Sequence, residues 1–427
     1  MPAPNPDNPA PDQTHDASRY RPWLHRLSFV ALAATFALVA IGGHVTSTES
    51  GMAVPDGWYT FGWWSLFAPP SEWWHNFGTF WEHSHRLQGN VVGMLSIAMA
   101  VWLYVTYTDW QQLNDSNPTR GRWARLVRSI ALVHGTRPKL RWAGVLMLLW
   151  VCAQGALGAF RVDEVSITLA FIHGISGQMI LCFWVLIAAA LSRPWVERVA
   201  AIRAKRKTDS PRWLRVFAIA LLLALFVQLT LGAAVRHYKA DKAIPDFPMH
   251  YGQVLPPMSQ DELDEAYLTY YANEAGLTLD EAVAGGWSNR GPRNGEIVIP
   301  LWKVHLQFTH RVWAYTLLIG GITLVVTTMR STLDKRLVMT PAMTLLALFV
   351  LQVSLGAITV MTETDIFAAT MHQATGALLI ATATWLSIRV HLAGYPAKTR
   401  PPITPAVPHP AEPTDTPSSK LLPHTTA

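Results

Sequence analysis

Charged side chains are scarce in this chain of 427 residues. Asp, Glu, Lys and Arg together make up 15% of it, whereas a typical soluble domain carries about 25%. Hydrophobic residues account for 50% of the chain, and 19 of its residues are Trp. This composition argues against a soluble globular protein and indicates one that lies in a membrane.

Cysteine is also nearly absent, with two residues in the whole chain, Cys152 and Cys182. Both fall inside predicted helices, so we expect small buried hydrophobic side chains rather than a disulfide or thiolate ligands. The acidic loops hold no cysteine at all. The sequence therefore gives no sign of a domain stabilised by disulfide bonds.

Eight apolar stretches are each long enough to cross a bilayer, whose hydrocarbon core takes about 20 residues of helix. Each holds few ionisable residues, and most are flanked by Trp, Tyr or Arg, which anchor helices at the membrane surface. The sequence thus predicts an all-α integral membrane protein. The predicted spans lie near 27–44, 86–106, 142–160, 167–191, 213–235, 304–328, 341–361 and 367–389.

The connecting loops differ in charge. Lys and Arg are concentrated in 120–141 and 193–215, while the alternate loops carry Asp and Glu. By the positive-inside rule, the basic loops and both termini are cytoplasmic and the acidic loops lie outside. The net charge of +6 is then a signal of topology rather than of nucleic-acid binding, and the basic loops can attract anionic membrane lipid.

The two halves of the chain repeat the same landmarks in the same order. The offset is 190 residues at a Pro-Asp turn, 225 at a His-Arg pair and 199 at a later histidine. We therefore predict two pseudo-symmetric four-helix bundles, the second with a long loop insert. The landmarks are Ala53 to Asp56, Glu82 to Arg86, Gln154, Leu157-Gly158-Ala159, His173 and Gly177, matched by Ala243 to Asp246, Gln307 to Arg311, Gln352, Leu355-Gly356-Ala357, His372 and Gly376.

These features divide the chain into five predicted segments. Two proline-rich tails, 1–23 and 393–427, are expected to be disordered. A basic cytoplasmic linker, 193–212, separates the two four-helix repeats, and a charged run at 261–265 in the insert predicts a short helix. The repeats are 24–192 and 213–392, and the second contains the insert 236–303.

Four histidines carry the predicted chemistry. His85, His173, His310 and His372 each lie near the start of an even-numbered predicted helix, so all four have a similar depth near the outer side of the membrane. A pair of neutral imidazoles on facing helices suits a haem iron. The pairs are His85 with His173 and His310 with His372, and each histidine is a predicted metal ligand.

Two alternatives fit less well. Structural zinc usually has closely spaced Cys and His ligands, but the histidines of the two pairs are 88 and 62 residues apart (173 − 85 and 372 − 310). A quinol-oxidising cytochrome of the bc type would place two histidines on each of two helices, about four turns apart. This chain has one histidine on each of four helices.

The residues around the first histidine of each pair differ between the copies. Glu82 precedes His85 by three residues, whereas Gln307 holds the matching place before His310. Residues at this spacing share a helix face, so we expect the Glu82 carboxylate to point toward the metal site, and an acid within a membrane is a functional candidate. Catalysis is thus assigned to the first half and electron transfer to the second.

The neighbouring arginines and glycines are candidates too. Arg86 and Arg311 each follow a histidine, where they could pair with a haem propionate or extend to the lipid headgroups. Gly177 and Gly376, four residues after a histidine, could admit a flat ring or serve ordinary helix packing.

The run Glu82-His83-Ser84-His85-Arg86, the run Gln307 to Arg311, the paired Leu-Gly-Ala segments and the ending His372 to Gly376 together resemble the haem A synthase family over about residues 24–392. The resemblance implies an eight-helix enzyme of the bacterial inner membrane that oxidises the C8 methyl group of haem O to a formyl group. It also implies that His310 and His372 ligate haem b, while His85, His173 and Glu82 form the substrate site.

The same resemblance implies haem O synthase and terminal oxidase assembly as partners, and it leaves a homo-oligomer open. The chain is similar to the branch without the loop cysteines, and its insert is longer than usual. A dihaem b-type protein of electron transfer or oxidase assembly, without haem A synthesis, is the alternative.

Overall fold

Long apolar runs become helices in a membrane because hydrocarbon offers the backbone no hydrogen-bond partner outside the segment. In a computed structural model that describes residues 20–107, 138–197, 210–289 and 298–393, eight such helices are present, as predicted, each apolar enough to cross a bilayer. They are α1 (Pro22–Ser47), α2 (Phe77–Tyr107), α3 (Pro138–Asp163), α4 (Ile167–Leu191), α5 (Arg212–His237), α6 (Leu301–Arg330), α7 (Lys335–Met361) and α8 (Ile366–Leu392).

Local sequence sets where several helices begin. The side chains of Ser166 and Asp365 accept hydrogen bonds from backbone N–H groups in the first turns of α4 and α8, which satisfies donors that have no partner inside the helix. Asp334 caps α7 in the same manner. α7 also contains Pro341, and it begins six residues before the apolar stretch predicted at 341–361.

The helices of each half contact one another in a closed ring. In the first half, α1 contacts α2 and α4, and α3 contacts the same two helices; α5 to α8 repeat this order. Each ring has its own hydrophobic core, one around Met99, Met147 and Trp184 and one around Leu225, Leu324 and Phe349. A symmetry relation between the two rings stays a prediction.

α4 and α8 join the two halves. They contact each other, and α4 also contacts α5 while α8 contacts α1. Val185 and Ala189 of α4 pack with Ile388 and Leu392 of α8 in a small separate core. These two helices also have the largest buried share of their apolar windows, 56% and 39%, so the remaining helices present more of their surface to lipid.

Two loops cover the end of the protein at which α1 and α5 finish. The first loop, 48–76, contains a two-stranded hairpin, Tyr59–Thr60 with Trp63–Trp64, and a short helix, Pro70–Trp73. The second loop, 238–300, contains the helices Gln260–Glu274 and Leu279–Ala284, each capped by a hydroxyl side chain. The predicted helix at 261–265 is therefore present and longer than expected.

The second loop has a hydrophobic core of its own. Ile244, Tyr251 and Leu263 are buried in it beside Val304 of α6, so the loop is attached to the membrane helices by apolar packing. Burial raises the pKa of the Tyr251 hydroxyl. Burial and the neighbouring tyrosines raise the pKa of Tyr271 to about 12.

One prediction about the cysteines is wrong. Cys182 is buried, as expected, but Cys152 is exposed on α3, where 17% of the apolar window is buried. In a membrane helix the lipid-facing side is as apolar as the protein-facing side, so hydrophobicity alone does not tell them apart. The predicted tails lie outside the described residues, apart from 20–23 and 393, and the predicted segment boundaries stay predictions.

Gly321 gives a test of the packing in the second half. A Cβ atom at this position would collide with the ring of Phe349, whereas one at Gly93 of α2 would meet nothing within 4 Å. We expect Gly321→Ala to lower the free energy of unfolding by about 1–3 kcal/mol through overpacking. Gly93→Ala, the control, should leave it unchanged or raise it by up to about 1 kcal/mol. Thermal unfolding in detergent measures both, and equal stability of the two variants would contradict the packing.

Candidate functional site

The four predicted histidines lie at one end of the helices. His85 is on α2, His173 on α4, His310 on α6 and His372 on α8, each six to nine residues after its helix begins. At 1.5 Å per residue this is a depth of about 9–14 Å. The two loops cover this end of the bundle, which we call the histidine end.

The first pair of histidines is brought together. The ring centres of His85 and His173 are 6.5 Å apart, with the ring planes at 69°. A metal-bound imidazole nitrogen is about 2 Å from the metal and about 1 Å from its ring centre, so two rings on opposite sides of one ion are about 6 Å apart. The separation therefore suits a single metal ion between the rings.

The second pair has more polar contacts. The Nδ1–H of His372 donates to the backbone carbonyl of Gln352 at 3.2 Å, and the Gln352 amide lies 3.3 Å from Nε2. Because a carbonyl only accepts, Nδ1 carries the proton, and the Nε2 lone pair accepts from the Gln352 amide, whose place a metal ion would take. The Gln228 amide lies 3.2 Å from Nδ1 of His310, and the two imidazoles are close enough to interact electrostatically.

The first pair has fewer side-chain contacts. The Gln154 side chain donates to the backbone carbonyl of His173 at 2.8 Å rather than to its ring. Nδ1 of His85 and Nδ1 of His173 face the backbone carbonyls of Leu38 and Gln154 without a hydrogen bond of normal geometry among the described residues. Glutamine side chains thus contact the imidazoles of the second pair and not those of the first.

Each of the four imidazoles rests against a glycine of the preceding helix. A Cβ atom added at that glycine would meet the ring Cε1 at 2.8–3.1 Å, so a larger residue would displace the histidine. The four glycines were not predicted in this role, although two belong to the Leu-Gly-Ala landmarks. The contacts are Gly42 with His85, Gly158 with His173, Gly232 with His310 and Gly356 with His372.

A spacing in the sequence could have revealed these glycines. Three of them follow a glutamine by four residues, at 154 and 158, 228 and 232, and 352 and 356. Residues at this spacing share a helix face, so the amide and the glycine meet the same histidine. In α1 the matching residue is Leu38, which leaves His85 as the histidine without a glutamine at this place.

Of the two roles left open for Gly177 and Gly376, their contacts fit helix packing. A Cβ atom at Gly177 would lie 3.4 Å from the amide nitrogen of Gln154, and one at Gly376 would lie 3.3 Å from that of Gln352. These glycines therefore make room for the glutamine side chains. The glutamine side chains occupy the space beside these glycines that a flat ring would need.

Arg86 and Arg311 hold the two loops in matching ways. Three backbone carbonyls of the loop above each guanidinium accept from it, at positions that differ by 190 residues in every case, and Arg86 also donates to the Gly57 carbonyl at 3.5 Å. The propionate contact predicted for these arginines stays a prediction, because their described partners are loop carbonyls. The acceptors are Val54, Asp56 and Tyr59 for Arg86, and Ile244, Asp246 and Met249 for Arg311.

The Glu82 carboxylate is bound to the first loop rather than aimed freely at the metal site. One oxygen accepts from the Val54 backbone N–H at 2.8 Å, and the other pairs with Arg86 at 2.9 Å. Glu82 is 4% exposed. The structure thus corrects its expected orientation while placing a buried negative charge one helical turn from His85.

The second half replaces this charged arrangement by an amide. Gln307 donates to the backbone carbonyl of Asp241 at 3.1 Å. The matching carbonyl of the first half, that of Gly51, accepts instead from Arg161 of α3 at 2.9 Å. The sequence predicted the Glu82 and Gln307 difference but missed Arg161.

The other histidines of this end serve the loops. His83 is 1% exposed, stacks on Trp73 with ring centres 4.4 Å apart and hydrogen-bonds Thr60. His305 hydrogen-bonds the carbonyl of Pro257. Burial and the charge of Arg311 lower the pKa of His250, in the second loop.

A haem fits the two histidine pairs better than a zinc ion does. Within the described ranges, no group of three or more His, Cys, Asp or Glu side chains is placed to hold a metal ion. Two imidazoles are the donor set of a bis-histidine haem, whose four other iron ligands come from the macrocycle. The ring separation in the first pair and the fixed tautomer of His372 both agree with this donor set.

The Arg311 contacts can be tested directly. We expect Arg311→Gln to free the second loop, because a buried guanidinium with three acceptors contributes charge-assisted hydrogen bonds. Amide hydrogen exchange over 244–258 should be at least about tenfold faster than in the parent protein. Arg330→Gln, at the far end of α6, is the control and should exchange normally; unchanged exchange in Arg311→Gln would show that the loop is held by its apolar core alone.

Comparison with known proteins agrees with this architecture. The chain is 26% identical to the haem A synthase of Caulobacter vibrioides over 404 residues, covering 88% of this chain and 97% of the relative. It is 25% identical to the haem A synthase of Erythrobacter litoralis, covering 88% and 98%, and 27% identical to that of Beijerinckia indica, covering 84% and 90%.

The family comparison covers the same region as the eight helices. The model of the COX15-CtaA family, described as cytochrome oxidase assembly protein, matches residues 25–384. All four histidines and both loops lie inside that match. The chain therefore belongs to the COX15-CtaA family.

Proposed function

We propose that this protein is a haem A synthase, a membrane oxidoreductase that converts the C8 methyl group of haem O to the formyl group of haem A. The observation that carries the proposal is the presence of two imidazole pairs at one end of the bundle, each ring seated on a glycine. Family membership and relatives of that name support it. An enzyme that oxidises a haem with a second haem requires two such sites.

His310 and His372 are proposed to hold a resident haem b. Their contacts with Gln228 and with the Gln352 carbonyl fix the rings, which suits a group that stays bound through many turnovers. A haem b at this place supplies one-electron redox chemistry.

His85 and His173 are proposed to bind the iron of haem O. No glutamine amide contacts their rings in the way that Gln228 and Gln352 contact those of the second pair, so these ligands have fewer side-chain contacts to hold them. Looser ligands suit a site that must take up a substrate and release a product. Glu82 is the proposed catalytic acid of this site, and its negative charge can stabilise positive charge that develops at the C8 methyl carbon.

The reaction consists of two hydroxylations and a loss of water. The first converts the methyl group to an alcohol, the second converts the alcohol to a gem-diol, and the diol loses water to give the aldehyde. With water as the source of oxygen, each hydroxylation replaces one C–H bond of the carbon by a C–OH bond and releases two protons and two electrons, which an external one-electron acceptor takes up in two steps. The proposed division of labour is therefore carbon chemistry in the first half and electron removal through the second.

The proposed setting is the bacterial cell membrane, with both termini cytoplasmic and the histidine end outside. The basic segments 120–141 and 193–215, which lie largely outside the described residues, support this orientation. Haem O synthase and terminal oxidase assembly are the proposed partners. The candidate alternative is a dihaem b-type electron-transfer or assembly protein that makes no haem A.

The two pairs should behave differently when a histidine is removed. We expect His310→Ala and His372→Ala to lose the low-spin b-type absorption spectrum, because each removes one of the two imidazoles that would hold the resident haem. His85→Ala should keep that spectrum and lose product. Loss of haem b in His85→Ala with retention in His310→Ala would reverse the assignment of the two halves.

Glu82→Gln separates an enzyme from an electron carrier. We expect it to keep haem b and the fold, since Gln307 supports the matching loop with the same side chain, but to lower haem A formation at least about a hundredfold. Gln307→Glu is the matched control and should leave activity largely intact.

The measurement is haem O conversion in a host that lacks its own synthase, with pigments extracted and identified by mass. Neither haem A nor a hydroxylated intermediate from the parent protein would favour the dihaem alternative. Full conversion by Glu82→Gln would remove Glu82 from the chemistry.

A further inference from the structure

We propose that Arg161 binds a propionate carboxylate of the substrate haem in the first site. The inference rests on the proposed function, because it assumes that His85 and His173 bind haem O. A haem carries two carboxylates, and an ionised carboxylate near the hydrocarbon region needs a cationic partner. The nearby arginines differ in whether they can supply one.

Arg161 is placed one turn beyond the first histidine pair. It follows Gly158 by three residues on α3, so the two share a helix face. Gly158 carries the ring of His173. The guanidinium is thus nearer to the membrane boundary than the histidine, on the side where the charged edge of a haem would be exposed to water rather than to lipid.

The donors of Arg161 are largely free. A guanidinium has five N–H groups, and those of Arg161 make one described hydrogen bond to protein, from Nη2 to the Gly51 carbonyl at 2.9 Å. A side chain at position 51 would collide with that nitrogen. The first loop therefore binds the guanidinium only through Nη2, among the described residues, and leaves Nε and Nη1 for a ligand.

The competing arginines are engaged. Arg86 donates to loop carbonyls and pairs with Glu82. Arg236 pairs with Asp241 at 2.9 Å and donates to the Thr46 carbonyl at 2.8 Å. Nη2 has a second N–H, which forms a fork with Nε or with Nη1, and such a fork matches the two oxygens of a carboxylate. Arg161 meets this condition best at the first site.

The local charge also favours an anion. Arg86 is paired with Glu82 and Arg236 with Asp241, whereas Arg161 makes no ion pair with a carboxylate among the described residues. One propionate would supply that partner.

The second half has no arginine at the matching place. Gly356 corresponds to Gly158, and three residues later the chain has Thr359, whose hydroxyl donates to Leu355 of its own helix at 2.8 Å. Arg161 therefore distinguishes the substrate site from the cofactor site. It is a binding residue of the first site alone.

The test is a titration of purified protein that retains its haem b. The probes are ferric haem, which has two free carboxylates, and haem dimethyl ester, which has none, and absorbance follows binding to the His85 pair. We expect the parent protein to bind the free acid at least about tenfold more tightly than the ester. Arg161→Gln should weaken binding of the free acid to the level of the ester and leave the ester unchanged. Arg161→Lys should keep part of the preference.

Arg330→Gln is the control and should match the parent protein, and the haem b spectrum of the second site reports an intact fold. Equal weakening of both probes by Arg161→Gln would show that Arg161 only supports the loop at Gly51, and an undiminished preference would show that another group binds the carboxylate. Either result overturns the proposed role of Arg161 and leaves the proposed substrate site standing. If the parent protein binds no second haem, both the substrate site and the role of Arg161 are overturned.

Discussion

The close approach of a histidine ring to a glycine backbone is the contact on which the histidine end depends. It occurs four times, always between a histidine and the preceding helix. A histidine side chain has two rotatable bonds, χ1 and χ2. Packing of its ring against a flat stretch of helix backbone restricts both bonds without a polar partner. Glycine costs helix stability in water, but inside a bilayer the helix has no competing solvent, so the cost is small. The helix packing of each half thereby holds two imidazole rings so that they face one another.

The two halves then diverge in how the loop above each pair is held. Both use an arginine after the first histidine to bind three loop carbonyls in the same register. Beyond that contact, the first half uses ionised groups, Glu82 and Arg161, where the second half uses the amide of Gln307. Charges in a low-dielectric setting are costly. A neutral amide suffices to hold a loop, so the charges of the first half point to a function beyond loop attachment.

Much of this arrangement could be predicted from sequence because it repeats. The eight spans follow from hydropathy, and the pairing of His85 with His173 follows from the duplicated landmarks. The sequence did not reveal which face of a helix is turned to its neighbour, since lipid-facing and protein-facing residues are equally apolar; Cys152 is exposed for this reason. Sequence displays charged side chains but not the backbone carbonyls that accept from them, so the loop contacts of Arg86 and Arg311 were not predicted, and their propionate contact stays a prediction. The glutamine and glycine spacing at 228 and 232 was visible, and its meaning depended on knowing that α5 contacts α6.

The contacts that hold the two loops at the histidine end indicate one site that exchanges its ligand and one that does not. The second loop has an apolar core that includes Val304 of α6, so displacing it exposes hydrophobic surface to water. The hairpin of the first loop instead presents exposed aromatic rings, among them Trp63 and Trp64. This loop is attached through Arg86, Glu82 and Arg161 and by the stacking of Trp73 on His83. Polar contacts of this kind can be remade with water or with a charged ligand, whereas a buried apolar core cannot be opened at comparable cost. The half whose imidazoles lack glutamine contacts is thus also the half whose cover depends more on exchangeable bonds. Both features are expected where a large substrate must enter and its product must leave.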